Sequence, residues 1–437
     1  MLTEALPARL QARRTAPDLL PRSRSLHHRP PPRFRGWAVV AGAFLVTMVG
    51  YGAIYSYAAF AEDIAATFGS SRASVSIVYA LSGGSCFFVS ALTGPLADRM
   101  GARVLAVMGM LLVALGFLIA AAASSLIEVY VGYGLLIGLG CGFAYVPAIA
   151  AVQRWFDIHR GLASGIAVSG IGIGTALVPP GADAFSALGD WRAAFVACGL
   201  LAALIGVAGA LLLAPAPQEQ EAPATAPRLT PPAAVLSRDS ALLYAGTLLV
   251  SLPSVLPHAL LVGTARDMGL ARHDAVALLG LIGIGTIIGR FLLAALGDAV
   301  GRRKVFLVCC AAMAASMLLW AAAENEPTLQ VFALGFGALQ GGFVALLPAF
   351  VADNFGSRSV GGVLGVLYTS RGIALLAAPP MLAFGIGAMA GHMIPVIGMA
   401  VAGAVGSALL ARVTRPAQPP HSSAGPVARP ACVSNRS

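Results

Sequence analysis

The chain has 437 residues, of which 58% are hydrophobic and only 11% charged, with a formal net charge of +10. A soluble domain usually carries about a quarter charged residues, so a water-covered globule is excluded and lipid is the expected solvent. The basic excess does not indicate nucleic acid, because the arginines lie in short loops and tails rather than on one module or face.

Residues 1–35 are rich in Arg and Pro and poor in acids. They hold no apolar core of their own, so a disordered basic tail beside anionic lipid fits better than a targeting peptide. A membrane-crossing helix needs ~20 mostly apolar residues. Six such stretches follow, at 37–60, 74–96, 103–123, 127–151, 161–182 and 191–214. Residues 215–239 interrupt them with PAPQEQEAPATAPRLTPP, the composition of a flexible cytosolic linker. Six more stretches lie at 241–264, 275–296, 304–323, 328–351, 360–384 and 391–412, and residues 413–437 form a second disordered tail. Cys86, Cys141, Cys198, Cys309 and Cys310 fall inside apolar runs without CxxC or His spacing, so they read as small hydrophobes and not as a disulfide frame or metal site.

The expected fold is therefore all-α, with twelve transmembrane helices in two six-helix halves, 36–214 and 240–412. With the N-terminus in the cytosol, ten loop Arg and Lys face inward and four face outward, namely Arg72, Arg192, Arg266 and Arg272. The positive-inside rule then puts both termini in the cytoplasm, and a bacterial inner membrane is the expected location.

The halves repeat at an offset of 200 residues. GLASGIAVSGIGIGTALVPP (161–180) and GGVLGVLYTSRGIALLAAPP (361–380) agree at six of twenty positions without a gap. GPLADRMGAR (94–103) and AALGDAVGRR (294–303) share Leu, Asp, Gly and Arg. Two six-span repeats suit a transporter, since rocking one half on the other opens a central site to either side. GIGIG and GIGTIIG echo nucleotide loops but lie inside membrane helices with no preceding strand, and read as small residues permitting close helix contact.

On these residues the chain resembles the major facilitator superfamily. Its loop after span 2, with Gly94, Asp98, Arg99, Gly101 and Arg103, is similar to that family's G-x-L-A-D-R-x-G-R motif, and Asp298, Gly301 and Arg302 echo it after span 8. The resemblance implies a latch on the inner gate; Arg154 and Arg160, from the next inner loop, are the candidate partners by position. Physically, glycine permits the tight turn, and the aspartates can meet basic groups or helix N-termini.

Two basic residues fall inside spans, Arg290 and Arg371, and no acid lies deep in any span. A central arginine costs roughly 2.5–3.5 kcal/mol to insert even on the lenient scale. Arg371 is ~16 Å and Arg290 ~11 Å from the inner helix ends at the helical rise. Without internal counter-ions they point to a wet cavity and an anionic substrate. The plainer alternative is bonding to backbone carbonyls freed near Gly or Pro. Tyr368 precedes Arg371 by one turn and Thr286 precedes Arg290 by one turn, while Tyr51, Tyr55 and Tyr145 belong to the other half. Aromatic walls and two guanidinium forks suit a small planar carboxylate. His258 in span 7 is a candidate for substrate contact or proton carriage, against simple bonding to a carbonyl.

RGW at 35–37, RWF at 154–156, RGLASGIA at 160–167, ARDMGL at 265–270 and IGTIIGR at 284–290 resemble the monocarboxylate transporter and oxalate:formate antiporter branch. That resemblance implies one basic residue in span 8 and one in span 11, which Arg290 and Arg371 match. The antiporter has lysine where Arg371 stands, and animal carriers have aspartate where Thr286 stands. The expected function is a secondary carrier of small mono- or dicarboxylates, by anion exchange or proton coupling. Drug efflux is the competing transporter reading, and a non-transporting membrane sensor the competing class. An enzyme, a cofactor, a metal and nucleic-acid binding are not expected; the expected partners are the substrate anion and lipid, with a monomeric chain.

Overall fold

A computed structural model describes residues 34–156, 160–187, 190–215, 237–355, 360–389 and 393–413. The linker segment 216–236 and both tails lie outside the described residues. Among the described residues every regular element is a helix, and twelve helices are long and apolar enough to cross a membrane. This is a multi-pass membrane protein.

Span 1 is Gly36–Tyr55 continued by Tyr57–Phe68, span 2 Arg72–Met100 and span 3 Ala102–Ala121. Span 4 is Leu126–Trp155, span 5 Arg160–Ser186 and span 6 Trp191–Leu212. In the second half, span 7 is Arg238–Asp267, span 8 Arg272–Val300 and span 9 Arg302–Ala321. Span 10 is Glu326–Phe355, span 11 Val360–Met389 and span 12 Met393–Ala411. Spans 1, 2, 4, 5, 7, 8, 10 and 11 run a few residues past the apolar stretches, because polar ends continue the helix, whereas spans 3, 6, 9 and 12 stop about two residues or fewer short of their C-terminal limits. Leu204, Leu292, Val308 and Val331 are exposed, as a lipid-facing surface requires.

The 200-residue repeat is visible in the turns. Gly69 and Gly269 have positive φ, as do Gly101 and Gly301, a conformation that a side chain would disfavour. Arg103 Nε donates to the Leu213 carbonyl at 2.6 Å, and Arg303 donates to the Val413 carbonyl at 2.7 Å. In each half an arginine thus satisfies a carbonyl just past the last helix, which would otherwise lack a partner.

The halves meet along span 2 with span 11 and span 5 with span 8. A Cβ at Gly283 would stand 2.5 Å from the Gly172 carbonyl oxygen, and one at Gly84 2.5 Å from Leu376. Hydrogen side chains at these crossings let the helices approach closely. They bring spans 1, 4, 7, 8 and 11 around one central region.

Candidate functional site

Arg290 and Arg371 are both buried, each with 6% of its surface exposed. They stand close enough to repel one another. Arg290 comes from the C-terminal half, and its guanidinium donates across the interface to the Val168 carbonyl of span 5. Arg371 lies over the ring of Phe87, from span 2, at 5.1 Å and over that of Phe343, from span 10, at 5.4 Å. The Nε of each arginine has no hydrogen-bond partner, and neither arginine forms an ion pair among the described residues.

The tyrosines gather beside them. A kink at Ser56, whose hydroxyl donates to the Ala53 carbonyl at 2.9 Å, ends the first segment of span 1 just after Tyr55. Tyr133 Oη donates to the same carbonyl at 2.5 Å, so the kink leaves no orphaned acceptor. Tyr51 packs edge-on against Tyr145 at 5.2 Å and lies 6.0 Å from Tyr55. Tyr368 of span 11 lies 5.6 Å from Phe87 of span 2. Tyr55 stacks on His258 at 4.2 Å, with 26° between the rings. His258 is buried and its Nδ1 is without a partner.

Tyr51, Tyr55, Tyr145, Tyr368, His258, Arg290 and Arg371 are therefore brought together. Thr286 is buried on span 8, where its carbonyl meets Gly341 at the crossing with span 10. Its hydroxyl forms no hydrogen bond with the other site groups among the described residues. Tyr79, not anticipated from the sequence, joins the cluster 6.4 Å from Tyr55 and donates to the Val255 carbonyl at 3.5 Å. Phe87, Phe343 and the Val168 carbonyl were also missed: phenylalanines in apolar spans carry no distinguishing signal, and a carbonyl carries none at all.

The anticipated gate residues are only partly described. Gly94, Asp98 and Arg99 continue span 2 and Gly101 turns the chain, but the Asp98 and Arg160 side chains lie outside the described ones. Asp298 pairs with Arg302 one turn away at 2.8 Å, both half-exposed or more. Arg154 is half-buried at the end of span 4.

The opposite end of the bundle holds a feature that sequence reading passed over. Arg272, the first residue of span 8, donates to both Asp63 carboxylate oxygens at 2.8 and 2.6 Å. Its Nε reaches Asp183 at 2.5 Å, and its Nη2, one of the two nitrogens that bond Asp63, also donates to the Ala59 carbonyl at 2.8 Å. Arg266 lies 3.4 Å from Glu62, and Arg72 lies 2.5 Å from Asp267. All three contacts join one half to the other.

Twelve spans, a repeated half and a polar centre between the halves are the architecture of a membrane transporter. A model of the Major Facilitator Superfamily matches residues 42–257 and 243–435, and the chain belongs to that family. Within it, the chain is 30% identical over 362 residues to monocarboxylate transporter 11 of Homo sapiens, covering 82% of this chain and 70% of that one. Monocarboxylate transporter 12 of Xenopus laevis is 26% identical over 389 residues, with 82% and 84% covered. A D-xylose-proton symporter crystal structure shares the fold, with a TM-score of 0.69 at 14% identity over 86% of this chain and 98% of that one.

Proposed function

We propose that this chain is a secondary active carrier of small organic anions, monocarboxylates foremost, working by alternating access with Arg371 and Arg290 receiving the carboxylate. The observation that carries the reading is Arg371: a buried guanidinium flanked by two rings, with an unbonded Nε and no acid partner among the described residues. A charge held this way is costly and persists where a ligand supplies the missing anion. The names of the relatives, monocarboxylate transporters, support the same class of cargo. Arg290 exchanges its carbonyl partner for a carboxylate when substrate enters, since charge-assisted bonds are roughly twice as strong as neutral ones. The tyrosines and His258 pack the body of the acid and exclude water.

The reading takes both termini as cytosolic, on the arginine bias of the loops, so the Arg272 end faces outward and is held shut in this conformer. Asp98 and Asp298 act at the inner gate; an Asp98→Asn carrier running at the wild-type rate would remove them from that role.

Coupling follows from charge. Among the described residues no acid stands at the site, so an empty carrier must reorient with two uncompensated cations in its centre. Exchange of one acid for another avoids that state.

Reconstitution into liposomes with radiolabelled formate, acetate, pyruvate, benzoate, oxalate and succinate, beside a cationic dye as an efflux probe, tests the reading. Saturable uptake of at least one acid is expected; uptake of the dye alone would contradict it. Efflux from acid-loaded vesicles should accelerate when unlabelled acid is added outside. Equal efflux into acid-free buffer that instead follows a pH gradient would replace exchange by proton coupling.

A further inference from the structure

An anion site needs an arginine that is both fixed in place and unsatisfied. An acid beside it would fix the side chain but would neutralise its charge and occupy its N–H donors. An aromatic ring attracts the cation through its quadrupole and takes up none of the strong acceptor positions a carboxylate fills. Arg371 has the second arrangement, with one ring from each half of the molecule.

We propose that Phe343 and Phe87 are positioning residues for Arg371: they hold its guanidinium for the incoming carboxylate, Phe343 through the whole transport cycle and Phe87 in the conformer seen here. The inference rests on the carboxylate reading above. Phe343 belongs to the same half as Arg371 and is itself immobilised. It is fully buried and stacks on Phe306 at 5.7 Å, which stacks on Phe350 at 4.5 Å. The backbone on its N-terminal side is locked as well, for a Cβ at Gly341 would stand 2.2 Å from the Thr286 carbonyl oxygen and one at Gly342 2.6 Å from Leu293. Phe343 therefore moves with Arg371 when the halves rock. Phe87 belongs to the N-terminal half and also touches Tyr368, at 5.6 Å. Its contact with Arg371 crosses the interface and changes when the halves rearrange.

The two rings consequently differ in kinetic effect. Losing Phe343 leaves Arg371 unfixed and weakens binding, so KM rises roughly tenfold, a desolvated cation–π contact's worth, while kcat per folded carrier stays within about twofold. Losing Phe87 raises KM and also changes kcat, because a contact that must break during the cycle has been removed. A ring that merely filled space would instead lower the amount of folded carrier and leave KM alone.

The test measures KM and kcat in proteoliposomes for wild type, Phe343→Leu, Phe87→Leu and Phe87→Tyr, with whichever acid of the six-member panel the wild type carries, normalised to folded protein by size-exclusion chromatography and thermal unfolding. The expected result is a raised KM for both leucine variants, with KM restored in Phe87→Tyr. Should Phe343→Leu fail to fold, the Phe87 pair decides. Wild-type KM in Phe87→Leu, or in a folded Phe343→Leu, overturns the proposal, as does a Phe87→Tyr carrier as impaired as Phe87→Leu. If the wild type carries none of the acids, the carboxylate reading falls and this inference with it; if the wild type carries an acid and only the KM shift is missing, the positioning role alone is wrong.

Discussion

Arg272 and Arg371 both belong to the C-terminal half and both face the N-terminal half, yet their surroundings are opposite. Arg272 spends its donors on Asp63, Asp183 and the Ala59 carbonyl. Arg371 has rings at its side and an Nε that bonds to nothing. The first is a clamp whose counter-charges are part of the protein. The second, in the function proposed above, is a receptor whose counter-charge arrives from outside. The same side chain acts as fastener or binding group according to whether the other half supplies an acid.

Substitution should separate the two roles, and the largest effect is expected at the receptor. Arg371→Gln removes a desolvated charge-assisted contact to the substrate, so acid uptake should fall about a hundredfold or more. Thermal stability should hold or rise, because a costly buried charge has gone. Arg290→Gln should also abolish uptake while leaving the chain folded. An Arg371→Gln carrier that is unstable but takes up acid normally per folded molecule would reverse the assignment.

A smaller effect, of the opposite kind, is expected at the clamp. Arg272→Gln leaves Asp63 and Asp183 facing each other without their shared cation. Breaking a fully buried pair costs several kcal/mol; with a third of the Arg272 side chain exposed, water screening reduces this to about 1–3 kcal/mol. Thermal unfolding should register that loss, and a cysteine introduced at position 59 should react faster with a charged thiol reagent as this end opens more often. Unchanged stability and unchanged reactivity would mean the clamp does not hold the halves.

The smallest effect belongs to Arg72, the repeat mate of Arg272. Its pair with Asp267 is more than half exposed on both sides, where ion pairs contribute about 0–1 kcal/mol. Arg72→Gln should therefore leave both unfolding and uptake near wild type.

The contrast also explains what the sequence could disclose. Arg290 and Arg371 were legible because a charge within an apolar run is itself a signal. Tyr51, Tyr55, Tyr145 and Tyr368 were legible as a group once the twelve helices and their repeat were recognised. The clamp was not, since Asp63, Asp183 and Arg272 each look like ordinary charges at helix ends, and the partners stand 89 and 209 positions from Arg272 in the chain. Thr286 shows the reverse: spacing put it one turn from Arg290, yet the crossing at Gly341 packs that turn against span 10. Phe87 and Phe343 required the tertiary structure, because only the packing of spans 2 and 10 shows which of nineteen phenylalanines meet an arginine.

The central claim, that Arg371 is the receptor and Arg272 the fastener, is tested most directly by acid binding to purified protein. Ligand that binds the folded state raises the unfolding temperature in a concentration-dependent way, so wild type, Arg371→Gln and Arg272→Gln can be titrated with the same carried acid. The account predicts a saturable shift for wild type and for Arg272→Gln, the latter from a lower starting point, and no shift for Arg371→Gln. A full shift in Arg371→Gln, or its loss in Arg272→Gln alone, would contradict it.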